Sequence, residues 1–261
     1  FLTWPQRVKS PFGAVVERLG AAGTMDVEMH SILAEFGFPF KFPNEVTVES
    51  EKIKEADYKV EVKDRRDFRD VLTFTIDPHD AKDFDDALSY KELNNGNIEV
   101  GIHIADVSHY VQPNTELDKE AYSRGNSVYL VDRVIPMLPE ILSNKLCSLR
   151  PEETKLTFSA VFELDKEAKV VNEWFGKTII YSDKRFAYED AQAIIEGKVK
   201  DEYFGDVILT MDKYAKGLRK KRMSTGALEI ESQEVRFKLD EVGNPLGIIL
   251  KVSKDANKLI E

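Results

Sequence analysis

Val71-Leu72-Thr73-Phe74-Thr75-Ile76-Asp77-Pro78-His79-Asp80-Ala81-Lys82-Asp83-Phe84-Asp85-Asp86-Ala87-Leu88-Ser89-Tyr90 is the segment around which the rest of the chain is organised. A β-branched and aromatic run, the pattern of a buried strand, feeds into five aspartates within ten residues, offset only by Lys82 and His79. Pro78 fixes one φ and removes a backbone donor, so the chain is expected to bend after the strand and bring its carboxylates together. Two carboxylates about 4 Å apart repel by roughly 4 kcal/mol at an effective dielectric of about 20. A hard divalent cation is the simplest compensation, because oxygen-rich sites suit magnesium, calcium and manganese.

Outward from this stretch the chain alternates between strands and helices. Asn94-Asn95-Gly96-Asn97 predicts a hairpin turn between strands 87–90 and 98–105. Leu117 to Arg124 reads as a short helix, Ser127 to Val131 as a strand, and the prolines of Ile135 to Pro139 as a rigid apolar loop. Residues 155–165 alternate apolar and polar and predict an antiparallel partner at 169–181. Helices are expected over 188–196 and 202–222, strands over 227–230, 235–239 and 246–252 around an Asn244-Pro245 turn, and a helix from Asp255 onward that the chain does not complete. Upstream, 63–70 reads as a charged connection, 26–36 as a helix capped by Asp26, 44–56 as a second helix, and Val15 to Leu19 as a short strand. The expected fold class is α+β (mixed α/β), with a sheet built from 71–77, 98–105, 128–131, 155–165 and 169–181.

Composition narrows the function classes. With 261 residues, 42% hydrophobic and 32% charged, the chain can bury a sizeable core and is not of disordered type. It contains no apolar run of about 18 residues, so no membrane span is expected. The amino terminus, Phe1 to Arg7, lacks the pattern of a signal peptide. The single cysteine, Cys147, cannot form an intramolecular disulfide and reads as a buried residue, which fits a reducing compartment. The net charge of −10 argues against a simple basic nucleic-acid binder, although carboxylates gathered in a metal site would count toward that total.

The residues by themselves leave several chemistries open. An EF-hand loop fails, because the twelfth position counted from Asp77 is Leu88 rather than a glutamate. An aspartyl phosphatase, a metal site and a solvated acidic loop all remain compatible with the cluster. His103 and His109, near Asp106, are candidates for metal ligands, for acid and base, or for structural hydrogen bonding. Tyr129 is a candidate for stacking on a base, and Arg124, like Arg133, for contact with phosphate or with neighbouring carboxylates. Lys213, Lys216, Arg219, Lys220, Lys221 and Arg222 crowd the end of the second long helix, where they suit either the helix dipole or a phosphate backbone.

Three segments, Thr75 to Ala87, Gly101 to Val111 and Val134 to Leu149, resemble in order and spacing the catalytic domain of the ribonuclease II/ribonuclease R (RNB) exoribonucleases, and the bacterial ribonuclease R branch more than ribonuclease II. The resemblance implies that residues 63–261 are the N-terminal part of a truncated catalytic domain, 26–62 a helical linker, and 1–25 the C-terminal end of a cold-shock (OB-fold) domain. It implies processive 3′-to-5′ hydrolysis of RNA to nucleoside 5′-monophosphates by metal-assisted attack of water, with magnesium as cofactor and manganese as the alternative. Carried over by motif position, Asp77, Asp83, Asp85 and Asp86 are implied as catalytic and metal-holding carboxylates, with Asp80 in support. Tyr129 is implied to pack near the last nucleotides and set the end-product length.

The implied partner is RNA with a single-stranded 3′ end, met by a monomer in the cytoplasm, with no membrane and with the ribosome or RNA-degradation machinery reached through the full-length protein. Two departures qualify the match. The family's catalytic arginine, S1 domain and basic tail belong to regions this chain does not reach, so the piece alone is expected to lack full activity. Ile230 stands where many relatives carry an aromatic that stacks on RNA. A non-catalytic RNA-binding or structural piece, and a metal phosphohydrolase of small substrates, stand as alternatives.

Overall fold

The structure, a computed structural model, describes residues 2–15, 17–228, 234–240 and 245–261. Helices α1 (Met25–Glu35), α2 (Asn44–Glu51) and α3 (Tyr58–Glu61) precede a single 3-10 turn and the short strand β1 (Arg66–Phe68). Strands β2 (Leu72–Asp77), β3 (Asp86–Glu92) and β4 (Ile98–Ala105) follow, then α4 (Val107–Tyr110) and α5 (Glu116–Arg124). A small ribbon of β5 (Val128–Tyr129) and β6 (Val134–Ile135) and a π-helical turn (Leu142–Leu146) lead to the long hairpin β7 (Thr154–Leu164) and β8 (Val170–Tyr181). The chain closes with β9 (Lys184–Ala187), α6 (Tyr188–Ile195), α7 (Gly205–Ser224), the hairpin β10 (Glu234–Leu239) and β11 (Pro245–Lys251), and α8 (Asp255–Ile260).

Among the described residues the main sheet has seven strands in the order β1-β8-β7-β4-β3-β2-β9. Its middle is an antiparallel meander, while β1 joins β8 and β9 joins β2 in parallel. Each face carries its own core. On one, Phe68, Phe84, Leu117, Leu142, Leu146 and Leu149 pack with Val161 and Ile180. On the other, α6, α7 and α8 bring Ile194, Phe204, Ile208, Met211 and Leu259 onto Phe74, Ile76, Leu88 and Phe186. The mixed α/β expectation holds, and Gly96, at φ +81, makes the 94–97 turn as its sequence requires.

Several local expectations are corrected. Residues 128–131 do not join the main sheet: Val128 and Tyr129 pair with Ile135 and Val134, because the chain turns back through Leu130 N–H to Arg133 C=O at 2.8 Å. Thr24, not Asp26, stands at the start of α1, and Asp26 lies within the first turn. The helix expected over 44–56 ends at Glu51, and a new one begins where Asp57 Oδ1 accepts from Lys59 N–H at 3.1 Å. Strands β1 and β9 escaped the sequence reading, since runs of three or four residues carry too little alternation to register. Val16 of the Val15–Leu19 strand, Ile230 with the end of the 227–230 strand, and Asn244 of the closing turn lie outside the described residues.

Candidate active site

Asp77 is the last residue of β2, and β9 runs beside it with Thr75 opposite Arg185 and Asp77 opposite Ala187. The strand therefore carries its carboxylate into the interior, where Asp77 is only 8% exposed and its Oδ2 lacks a hydrogen-bond partner. Burial pushes the carboxyl up from its ordinary 3.8 to about 6; the Asp86 and Asp85 charges add to this, and the Thr75 hydroxyl and the Arg185 guanidinium oppose it. Asp86 opens β3, opposite Ile104 of β4, and is also raised by burial. Asp85 reaches solvent yet is crowded by protein, and crowding together with the Asp83 and Asp86 charges raises it too. The three carboxyls thus sit in one electrostatic neighbourhood where ionising all of them is costly.

Asp83 belongs to the same neighbourhood through its charge on Asp85 and through Tyr129, whose hydroxyl donates to Asp83 Oδ2 at 3.3 Å. Tyr129 is 66% exposed, so its ring face is open beside the acidic loop. Asp80 is placed elsewhere: its side chain is 81% exposed and lies 3.8 Å from Arg236 on the β10–β11 hairpin, a surface pair of small energetic consequence. The expectation that all five carboxylates converge is therefore corrected. Among the described residues no group of three or more His, Cys, Asp or Glu side chains stands at metal-ligating spacing. The backbone explains the spread, since Asp77 ends one strand, Asp86 begins the next, and the segment between is a loop.

Two segments hold that loop. Ser148, fully buried, accepts from Phe84 N–H at 3.0 Å and donates to Lys82 C=O at 3.2 Å, while Leu149 N–H donates to Phe84 C=O at 2.8 Å. Arg185 Nη2 donates to the Pro78 and His79 carbonyls at 2.5 and 2.8 Å. The Ile135 to Leu149 segment is thus a strap across the acidic loop as well as an apolar packing element. Arg185 had no signal in the sequence, because its role depends on the parallel pairing of β9 with β2.

The segment Gly101 to Val111 is a support. His103 is fully buried, with Nδ1 2.6 Å from Ser159 Oγ and Nε2 2.8 Å from Ser89 Oγ, and burial, aided by Arg66, pushes its pKa down to about 3. It is a neutral structural group, neither metal ligand nor acid. Arg65 donates through Nη2 to Asp106 Oδ2 at 2.7 Å and through Nη1 to the Thr157 and Thr178 carbonyls. Burial would raise Asp106, but the hydrogen bonds from Ser108 and Arg65 outweigh it and hold the carboxyl below its usual range. His109 faces Glu61 at 3.8 Å.

Arg124 departs from its expected place at an RNA surface. Its side chain is 4% exposed, Nε pairs with Glu120 at 2.8 Å, Nη2 donates to Lys41 C=O at 2.9 Å, and the guanidinium lies 3.9 Å over Phe42. It ties α5 to the 39–42 segment and has no face left for phosphate. Arg133 is likewise committed, to Asp132 and Asp26. In the basic run on α7, Lys216 pairs with Asp212 and Asp255, and Arg219 with Glu261.

The family model described as "RNB domain" matches residues 65–261. The chain belongs to the RNB family. A cold shock domain model matches residues 1–43 of this RNB chain. It is 42% identical to ribonuclease R of Thermotoga maritima over 100% of this chain and 38% of that protein. It is also 42% identical to a DIS3-like exonuclease 2 of Schizosaccharomyces pombe, over 99% of this chain and 29% of that protein. Ribonuclease R of Mycoplasma genitalium, solved with ribose methylated single-stranded RNA, superposes with a TM-score of 0.86 at 27% identity, covering 93% of this chain and 38% of that one. The RNB chain described here thus spans well under half the length of these relatives. Among the described residues, no helix is long and apolar enough to cross a membrane.

Proposed function

We propose that the full-length protein is a 3′-to-5′ processive exoribonuclease that hydrolyses RNA to nucleoside 5′-monophosphates, with residues 63–261 as the N-terminal part of its catalytic domain. The observation that carries this reading is the neighbourhood of Asp77, Asp85 and Asp86, joined by Asp83 with an exposed tyrosine on its carboxylate. Membership of the RNB family and similarity to proteins named ribonuclease R and exonuclease support it.

The donor set suits a hard cation: the buried, unpartnered Oδ2 of Asp77 and the raised carboxyls of Asp85 and Asp86 are oxygen ligands that cost free energy when ionised alone. Asp77, Asp83, Asp85 and Asp86 would hold magnesium, or manganese in its place, which would lower the pKa of a water and offset charge at the phosphate. The chain's own residues do the placing. The Ser148 strap sets the backbone between Asp83 and Asp85, and Asp77 stands at the end of β2. Tyr129 offers its open ring to the terminal nucleotides while its hydroxyl marks the position of Asp83. The substrate is RNA with a single-stranded 3′ end; we place the full-length protein in the cytoplasm, as a monomer, serving RNA turnover together with the ribosome or the RNA-degradation machinery.

The spread of the carboxylates favours a second reading, a piece that binds RNA without cleaving it. Degradation of 5′-labelled single-stranded RNA by the full-length protein separates them. Release of mononucleotides with a shrinking ladder supports the exoribonuclease, and binding without shortening supports the second reading. Phosphate release from small esters, with RNA left intact, would replace both by a small-substrate phosphohydrolase.

A further inference from the structure

Three buried polar atoms in one corner of the main sheet have no hydrogen-bond partner: Thr75 Oγ1, Asp77 Oδ2 and Arg185 Nε. The register puts them on one face of two adjacent parallel strands, with Thr75 opposite Arg185 and Asp77 two residues further along β2. An unpaired buried polar group costs roughly 1–3 kcal/mol, and the influence of the Thr75 hydroxyl on the Asp77 carboxyl offsets that only in part, so this corner is a place where stability is given up. The rest of the Arg185 guanidinium is committed to the acidic loop. Nη2 holds both the Pro78 and His79 carbonyls, immediately after Asp77, and the guanidinium carbon lies 5.5 Å from the centre of the Phe84 ring, immediately before Asp85. One side chain therefore touches the chain just after Asp77 and just before the Asp85–Asp86 pair.

We propose that Arg185 is a positioning residue for Asp77: by clamping the 78–79 turn it fixes where the Asp77 carboxylate stands relative to Asp85 and Asp86. The side chain is suited to this. A planar guanidinium can bridge two carbonyls with one nitrogen, whereas a lysine ammonium supplies a point charge without that planar shape. The effect on chemistry rests on the exoribonuclease reading; the effect on the carboxylates does not.

The test uses Arg185→Gln and Arg185→Lys in the full-length protein, with Mn2+ titration by calorimetry and single-turnover degradation of single-stranded RNA. Outer partners that orient ligating groups typically carry about 10–100-fold in metal affinity or activity. Arg185→Gln is expected to weaken Mn2+ binding and to lower kcat by a factor in that range with KM for RNA unchanged, and Arg185→Lys to recover only part of each. A purely structural arginine would instead lower thermal stability and leave Mn2+ affinity and kcat per folded molecule as in the wild type, which would overturn the proposal. So would full recovery by lysine, or a wild-type protein that takes up no Mn2+. If the glutamine variant does not fold, the lysine variant decides by the same two readouts. A wild-type protein that binds Mn2+ but shortens no RNA would sink the exoribonuclease reading alone, with the Mn2+ titrations still deciding the role of Arg185.

Discussion

Asp77 and Asp106 are both nearly buried, 8% and 3% exposed, one ending β2 and the other following β4, and the fold treats them in opposite ways. Asp106 receives Arg65 at 2.7 Å and Ser108 at 2.6 Å, and its carboxyl is held below the ordinary range in spite of its burial. Asp77 keeps an unpartnered oxygen, faces two further carboxylates, and is pushed up to about 6. A charge that serves only the scaffold is satisfied by the protein itself. Asp77 is a charge the scaffold leaves unsatisfied, as the proposed metal site would require, and the surrounding scaffold has to be rigid enough to tolerate it.

The contrast can be broken most forcefully at its functional end. Asp85→Asn in the full-length protein is expected to lower RNA hydrolysis by orders of magnitude while leaving RNA binding nearly intact, because a neutral amide cannot replace a metal-held carboxylate. Turnover near that of the wild type in a single-turnover assay would remove Asp85 from the catalytic set. At the scaffold end, Arg65→Met leaves the Asp106 charge buried without its cation and held only by Ser108, and urea denaturation is expected to show a loss of about 3–5 kcal/mol. A loss below about 1 kcal/mol would mean that Asp106 finds another partner.

Asp77→Asn tests the contrast with the opposite sign. The native carboxyl titrates above its unfolded value, so from pH 3.8 to about 6 the folded state holds a proton that the unfolded chain has released. Stability therefore falls as pH rises through that window, and the full cost persists above it. At about 1.4 kcal/mol for each tenfold change, the rise corresponds to about 3 kcal/mol. In buffer free of divalent metal, Asp77→Asn should be more stable than wild type by up to about 3 kcal/mol at pH 8, with the gap closing below pH 4. A variant less stable than wild type at both ends would show that Asp77 is a satisfied structural group.

The smallest effect expected concerns the support beneath the site. A Cβ added at Gly101 would run into Ser89 Oγ and the His103 ring, so Gly101→Ala should cost about 1–3 kcal/mol by overpacking the buried histidine. A neutral outcome in thermal unfolding would show that this layer of the sheet yields more easily than its hydrogen bonds suggest.

The strand before the acidic loop, the 94–97 hairpin and the 155–181 hairpin are legible in the residues alone, since each is written in local alternation and turn chemistry. Residue type and spacing also marked Asp77, Asp80, Asp83, Asp85 and Asp86 as a group, while setting Asp80 apart from the other four rested on the family resemblance. Only the tertiary structure decided which carboxylate is buried, that Asp80 points away, that Tyr129 reaches Asp83, and that Arg124 is committed to the interior. Arg65, Ser148 and Arg185 lie 41, 64 and 107 residues away from the groups they hold. Periodicity reports which face of an element is apolar. It carries no record of the strand that will lie beside it, and for Arg185 the neighbouring strand β2 is what brings the guanidinium to the turn after Asp77.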